Sequence, residues 1–210
     1  MNTITTGQQF EMGKLVAEKL GAMKADGEKI QSAIKSSDHP FWSDLVKHFS
    51  SQKAGILVID RTTPFNPAEF IGSGWTIEIE EEDERSLALT EVDFSKIRLE
   101  TMLKKGETSI NGEEKLKRLK EAGHIRLDAK VFQTLWKDKT LIPESWKKKM
   151  NGNTTYIFFD GTILRIPSSG RCVLCLCWDD GGWRWGCYWL GDDWGGCGPS
   201  AVCPQVSPQN

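Results

Sequence analysis

The residues of this chain whose type and spacing could do chemistry are its cysteines. All six lie between Cys172 and Cys203, and the run opens as Cys172-x-x-Cys175-x-Cys177. A CxxC pair has the right spacing for one half of a zinc site. A zinc module needs a second pair at similar spacing, yet Cys187, Cys197 and Cys203 stand alone. The three histidines, His39, His48 and His124, lie far upstream. On an extended strand Cys175 and Cys177 share a face while Cys172 takes the other, which opposes chelation by all three. Free thiols are therefore expected, with no metal and no cofactor. Disulfides are disfavoured because the polar, amphipathic N-terminus has no signal-peptide core.

Two adjacent carboxylate pairs, Asp179-Asp180 and Asp192-Asp193, fall in turn-rich sequence. Oxygen ligands in loops suit calcium, but paired aspartates in turns more often act as solvated turn formers. Trp183, Trp185 and Trp189 fall at odd positions of one extended stretch and so share a face. Such a face packs inward unless its rings serve as a stacking platform. No nucleophile elbow, P-loop or dinucleotide fingerprint is present, and no serine or cysteine nucleophile motif accompanies a histidine. The expectation is a protein that is not an enzyme.

The elements that must position these residues fall into two compositional halves. Residues 1–150 carry 24 basic and 24 acidic side chains, whereas residues 151–210 contain no lysine and no glutamate. The break falls in the Asn151-Gly152-Asn153 turn. The formal net charge of −2 makes no general field for nucleic acid. No apolar run approaches the roughly 18 residues that span a bilayer, so the expected setting is the cytoplasm, away from membranes.

Helical spacing is expected over about Gly7–Lys35 and in a second helix capped by Asp38. A buried strand is expected at Gly55–Asp60, a half-exposed one at Gly74–Glu80, and another over Leu87–Val92. Helical spacing returns at Ile97, Leu99, Met102 and Leu103, and again at Leu116 and Leu119 before Gly123. Asp128 caps an expected helix over Ala129–Lys137 with Val131, Phe132, Leu135 and Trp136 inward. A last short helix starts at Pro143. The period then changes to two: Tyr156–Phe159 and Thr162–Arg165 flank an Asp160-Gly161 hairpin signal. Arg171–Trp178 and Trp183–Leu190 are strands about a turn, Gly191–Gly198 is a loop around Trp194, and Ser200–Cys203 is a final strand. The fold class is α+β, with a mainly helical front and a short-stranded antiparallel tail.

The tail has a restricted alphabet. Of the 33 residues from Arg171 to Cys203, 19 are Cys, Gly, Asp, Tyr or Ser, and the Trp, Leu, Val and Ala positions between them form a regular frame. YIFFDGTILRIP, then VLCLCWDDGGWRWGCYWLGDDW, then PSAV, resembles the variable C-terminal region of target proteins of diversity-generating retroelements. It is similar to an uncharacterised family from candidate-phylum bacteria, whose tail follows an IPESWK segment such as the one at Ile142. In those systems a template is copied with substitution at adenines. Codons rich in adenine then drift among residues such as Asn, Asp, Gly, Ser, Tyr and Cys, while adenine-free Trp stays fixed. One departure is the ending, PSAVCPQVSPQN here against the PSAVLAS usual in the family.

The resemblance implies an N-terminal α/β domain of unknown role (1–126), a C-type-lectin-like ligand-binding domain (127–203) and a disordered tail (204–210). It implies a hypervariable binding surface made by Cys172, Cys175, Cys177, Asp179, Asp180, Gly182, Gly186, Cys187, Tyr188, Asp192, Asp193, Gly195, Gly196, Cys197 and Gly198, facing a macromolecular ligand, a protein in the first instance. Arg184 is a further candidate. Two alternatives belong to other classes. One is a zinc-binding or thiol-rich module associated with nucleic acid, and the other is a carbohydrate-binding domain using Trp183, Trp185 and Trp189.

Overall fold

The chain before Leu127 supplies strands to the same sheet as the cysteine-rich tail. The computed structural model describes residues 55–168 and 170–204, within a compact unit spanning Ser51–Asn210. The helices expected before residue 50 lie outside the described residues. In chain order the elements are β1 (Ile56–Val58), α1 (Pro67–Phe70), β2 (Thr76–Ile77), α2 (Glu84–Leu87), β3 (Glu91–Asp93), β4 (Arg98–Glu100) and β5 (Ser109–Asn111). Then come α3 (Gly112–Glu121), β6 (Ile125–Arg126), α4 (Ala129–Lys137), β7 (Tyr156–Arg165), β8 (Arg171–Asp179), β9 (Gly182–Trp189), β10 (Asp193–Gly195) and β11 (Ser200–Cys203). No helix among the described residues is long and apolar enough to cross a membrane.

The main sheet runs β4-β11-β7-β8-β9, with β2 added to β7 and β6 added to β11. Its pairings are antiparallel except β11 with β7, where Ser200 lies opposite Phe158 in parallel. Two further ribbons pair β1 with β3 and β5 with β10. The expected boundary after residue 126 therefore falls inside one sheet: β6 pairs Arg126 with Val202, and the Leu127 amide donates to the Ala201 carbonyl at 3.1 Å.

Several local expectations hold. Asp128 caps α4 by accepting from the Lys130 and Val131 amides, and Val131, Phe132 and Leu135 are buried against β7 and β8. Asn111 caps α3, and Gly123 follows it with φ +69°. The β8–β9 hairpin turns on Asp180 and Gly181, both at positive φ, as a two-residue hairpin of this twist requires.

Other expectations are corrected. Ile97, Leu99, Met102 and Leu103 do not form a helix; β4 extends through Leu99 and pairs with β11. A short apolar run cannot by itself tell helix from strand, and here the tail strand decides. The Gly74–Glu80 strand shrinks to Thr76–Ile77 before a 3-10 turn at Ile79–Glu81. Over Leu87–Val92, α2 ends at Leu87 and β3 begins at Glu91.

The Asp160-Gly161 hairpin is absent, because β7 runs straight through it with a register shift between Phe159 and Leu164. Asp160 is 1% exposed and its carboxylate accepts the Ser200 hydroxyl at 2.5 Å. Gly161 is needed for proximity rather than for positive φ. A Cβ there would fall 2.2 Å from the Arg126 carbonyl oxygen, and its amide donates to the Leu127 carbonyl at 2.9 Å.

Alternation along β7 and β8 gives the sheet two apolar faces. Ile157, Phe159, Leu164, Cys172, Leu174 and Leu176 point to the core covered by α4. Phe158, Ile163, Val173 and Cys175 point to the second face, which Leu116 of α3, Leu190 and Trp194 cover in part.

Candidate ligand-binding face

The site is built from the β8–β9 hairpin and from the segment after it, Leu190–Pro199, which crosses the second face of the sheet. Along β8 and β9 the register pairs Cys175 with Gly186, Val173 with Tyr188 and Cys177 with Arg184. Gly186 leaves the space above Cys175 open, its missing Cβ sitting 3.9 Å from the Cys175 sulfur. Tyr188 leans on Tyr156 and Phe158, with ring centroids 5.1 and 5.3 Å apart. Asp179 and Asp180 at the hairpin tip lie 3.9 and 3.6 Å from the Arg184 guanidinium. These are exposed pairs, of little energetic weight.

The Leu190–Pro199 segment is held by its main chain. The Gly112 and Glu113 amides, at the start of α3, donate to the carbonyls of Asp192 and Leu190, both at 3.0 Å. The Asn111 side-chain amide donates to the Gly191 carbonyl at 2.8 Å. From β7, the Tyr156 and Phe158 amides donate to Cys197 and Pro199 carbonyls. Lys115 of α3 is fully buried and donates to the Gly198 carbonyl at 2.7 Å. Its ammonium lies 4.8 and 5.0 Å from the ring centroids of Phe158 and Trp194, which stack on each other at 4.1 Å. Burial lowers the Lys115 pKa to about 8, against the opposing pull of Asp160.

The fifteen sequence-derived positions divide in this geometry. Asp180, Asp192 and Asp193 are exposed. Asp179, Gly182, Gly186, Tyr188, Gly195, Gly196 and Cys197 are partly exposed along the hairpin and the crossing segment. Cys177 lies on the same face, nearly covered. Four further positions are buried or turned to the other face of the sheet. Cys172 is buried toward α4, and Cys187 packs against that same core. Cys175 is buried in the second cluster. Gly198 is buried and a Cβ there would meet the Phe158 ring at 2.7 Å. Strand alternation and a neighbouring ring, rather than alphabet, determine these four.

The thiols are all free, and their surroundings keep most of them protonated. Burial pushes Cys175, Cys177 and Cys203 up. Cys172 rises chiefly by sharing its proton with Cys187, then by burial, while Cys187, as acceptor, is lowered. Burial and the bond to Tyr156 likewise raise the Tyr188 phenol. The three tryptophans share the α4-facing side of the sheet, as their spacing predicts, but differ in exposure. Trp185 is enclosed by Phe70, Phe132 and Trp136, Trp183 meets Trp178 edge to face, and Trp189 is 46% exposed.

Sequence reasoning missed Lys115 and Asn111. A signal existed for the first: Lys115 precedes Leu116 and stands four residues before Leu119, a cation beside the apolar stripe of α3.

Comparison of the chain with protein-family models, with curated proteins and with solved structures found no match in any of the three.

Proposed function

We propose that this chain is a non-enzymatic display protein whose C-terminal strands and loops carry variable side chains for binding a macromolecular ligand, a protein in the first instance. The reading takes the Leu127–Cys203 region as C-type-lectin-like and its variation as the product of a diversity-generating retroelement. The observation that supports it is the partition of the tail. Seven of the eleven frame residues, Val173, Leu174, Leu176, Leu190, Trp194, Ala201 and Val202, are buried, with Trp178, Trp183 and Trp185 partly covered and Trp189 exposed, while most of the Asp, Gly, Tyr and Cys positions between them reach the surface of the hairpin or the crossing segment.

Such a surface suits binding better than catalysis. Burial holds its Cys177 thiol and Tyr188 phenol protonated, and its aspartates sit at the hairpin tip and along the crossing segment. The binding positions on this reading are Cys177, Asp179, Asp180, Gly182, Gly186, Tyr188, Asp192, Asp193, Gly195, Gly196 and Cys197. Few of them are the aromatic or arginine anchors that dominate interface energy, so Tyr188 and the neighbouring Arg184 are expected to carry most of this copy's affinity.

The test is to sequence the gene, its flanking DNA and sibling copies. A nearby template differing only at adenines, a reverse-transcriptase gene beside it, and sibling differences concentrated at these eleven positions are the expected result. Siblings that vary evenly across frame and filling, with no template, would remove the reading.

A further inference from the structure

The support beneath the proposed binding loop comes from outside the cysteine-rich tail, and it has one consistent property. Every hydrogen bond described above that reaches Leu190–Pro199 from β5, α3 or β7 ends on a main-chain carbonyl: Leu190, Gly191, Asp192, Cys197, Gly198 or Pro199. The β5–β10 ladder adds main-chain pairing from Asp193 to Gly195. Trp194 is the segment's inward anchor, its ring stacked on Phe158 and its indole N–H donating to the Trp189 carbonyl at 3.1 Å.

Two residues before the tail complete the arrangement. Gly112 admits the segment, since a Cβ there would sit 2.7 Å from the Leu190 carbonyl oxygen and 2.9 Å from the Trp194 ring. Lys115 closes its far end at Gly198. A buried ammonium costs free energy unless its protons are used. Here it lies within 5.0 Å of the centroids of both stacked rings, with its hydrogen bond directed at the loop.

We propose that Asn111 and Lys115 are the positioning residues of the Gly191–Gly198 loop, holding its path through main-chain atoms so that the side chains at 192, 193, 195, 196 and 197 can change without moving it. What the loop is held for rests on the display reading; the holding itself does not. The variable surface thereby gains a boundary. Gly195 and Gly196 have only ordinary contacts or a flexible amide near a new Cβ, whereas Gly198 presses on Phe158 and belongs to the support.

Amide hydrogen exchange on the full chain tests this without a ligand. Lys115→Met is expected to speed exchange in the Asp192–Gly198 amides by about ten- to a hundredfold, the range for a lost hydrogen bond to a charged group, while β7 and β8 amides keep their protection. Asn111→Asp keeps the acceptor that caps α3 and replaces the donor to Gly191 with a carboxylate oxygen that repels the Gly191 carbonyl. It should loosen the same loop and serves as the test if Lys115→Met fails to fold. Asp192→Ala, Gly196→Ser and Cys197→Ala should leave loop exchange near the parent's.

The proposal is overturned if the loop is unmoved in both positioning variants, or if exchange rises equally across β7 and β8. It is also overturned if replacing the surface side chains loosens the loop as much as Lys115→Met does. Invariant sibling codons at 192–197 would sink the display reading while leaving the exchange pattern intact, so the two failures are distinct.

Discussion

The Ser200 hydroxyl donates to the Asp160 carboxylate at 2.5 Å, joining two residues 40 apart in sequence where the parallel strands β7 and β11 meet. Both are buried, and the other oxygen of Asp160 has no protein partner. Ser200→Ala therefore leaves a buried carboxylate with one bond fewer. A loss of about 2 kcal/mol is expected in urea unfolding at neutral pH. An unchanged midpoint would mean the carboxylate is satisfied some other way.

Lys115 makes stability depend on pH with a definite sign. Its folded pKa of about 8 lies below the ordinary 10.5. Between those values the unfolded chain holds a proton that the folded chain has released, so this group's contribution to stability rises as pH rises through the window. The full effect is about 3 kcal/mol. Buried thiols and Tyr188, with raised pKa values, work the other way above pH 9, so the comparison must be differential. Stability of the parent minus that of Lys115→Met should grow from pH 7 to pH 10. A difference that stays level would place the amine's titration at its ordinary value.

Gly161 predicts a steep cost for the smallest possible substitution. A Cβ at this position overlaps the Arg126 carbonyl and the Asp128 amide, both main-chain atoms that cannot move aside cheaply. Gly161→Ala should destabilise by about 3 kcal/mol or more, the range of severe overpacking. Gly186→Ala, with only the Cys175 sulfur 3.9 Å away, should cost under about 1 kcal/mol. Thermal unfolding of the two variants side by side gives the contrast; equal costs would argue against the close approach of the Arg126–Asp128 backbone to Gly161.

The thiols should react in order of burial rather than of sequence. Alkylation of the native protein followed by peptide mass mapping should modify Cys197 well before Cys172 and Cys175, which are covered on opposite faces of β8. Modification of Cys172 should follow the rate of global unfolding. Rapid labelling of Cys172 under native conditions would contradict its place beneath α4.

Much of this architecture was legible in the sequence because its signals are local. The α4 cap at Asp128, the end of α3 near Gly123, the Asp180-Gly181 turn and the two-residue period of β8 depend on a few neighbouring residues and on backbone sterics. The same alternation separated Cys172 from Cys175 and Cys177. The composition break at residue 151 was equally plain, but it does not coincide with the end of a structural unit, because β4 and β6 pair with β11.

What tertiary structure alone decided involves partners distant in the chain. Asp160-Gly161 carries a strong hairpin signal, yet the Arg126–Asp128 backbone and Ser200 claim its polar groups and hold β7 extended. Leu99 has helical neighbours by spacing, but its strand pairs with a tail a hundred residues later. Within the candidate face, residue type marked which positions differ from the frame; packing determined that Cys172, Cys175 and Gly198 lie inside, that Cys187 turns to the α4 side of the sheet, and that the buried Lys115 ammonium meets the Gly198 carbonyl. A pattern of residue types records local preference, whereas burial depends on which surfaces meet, and those meetings are set by the whole sheet.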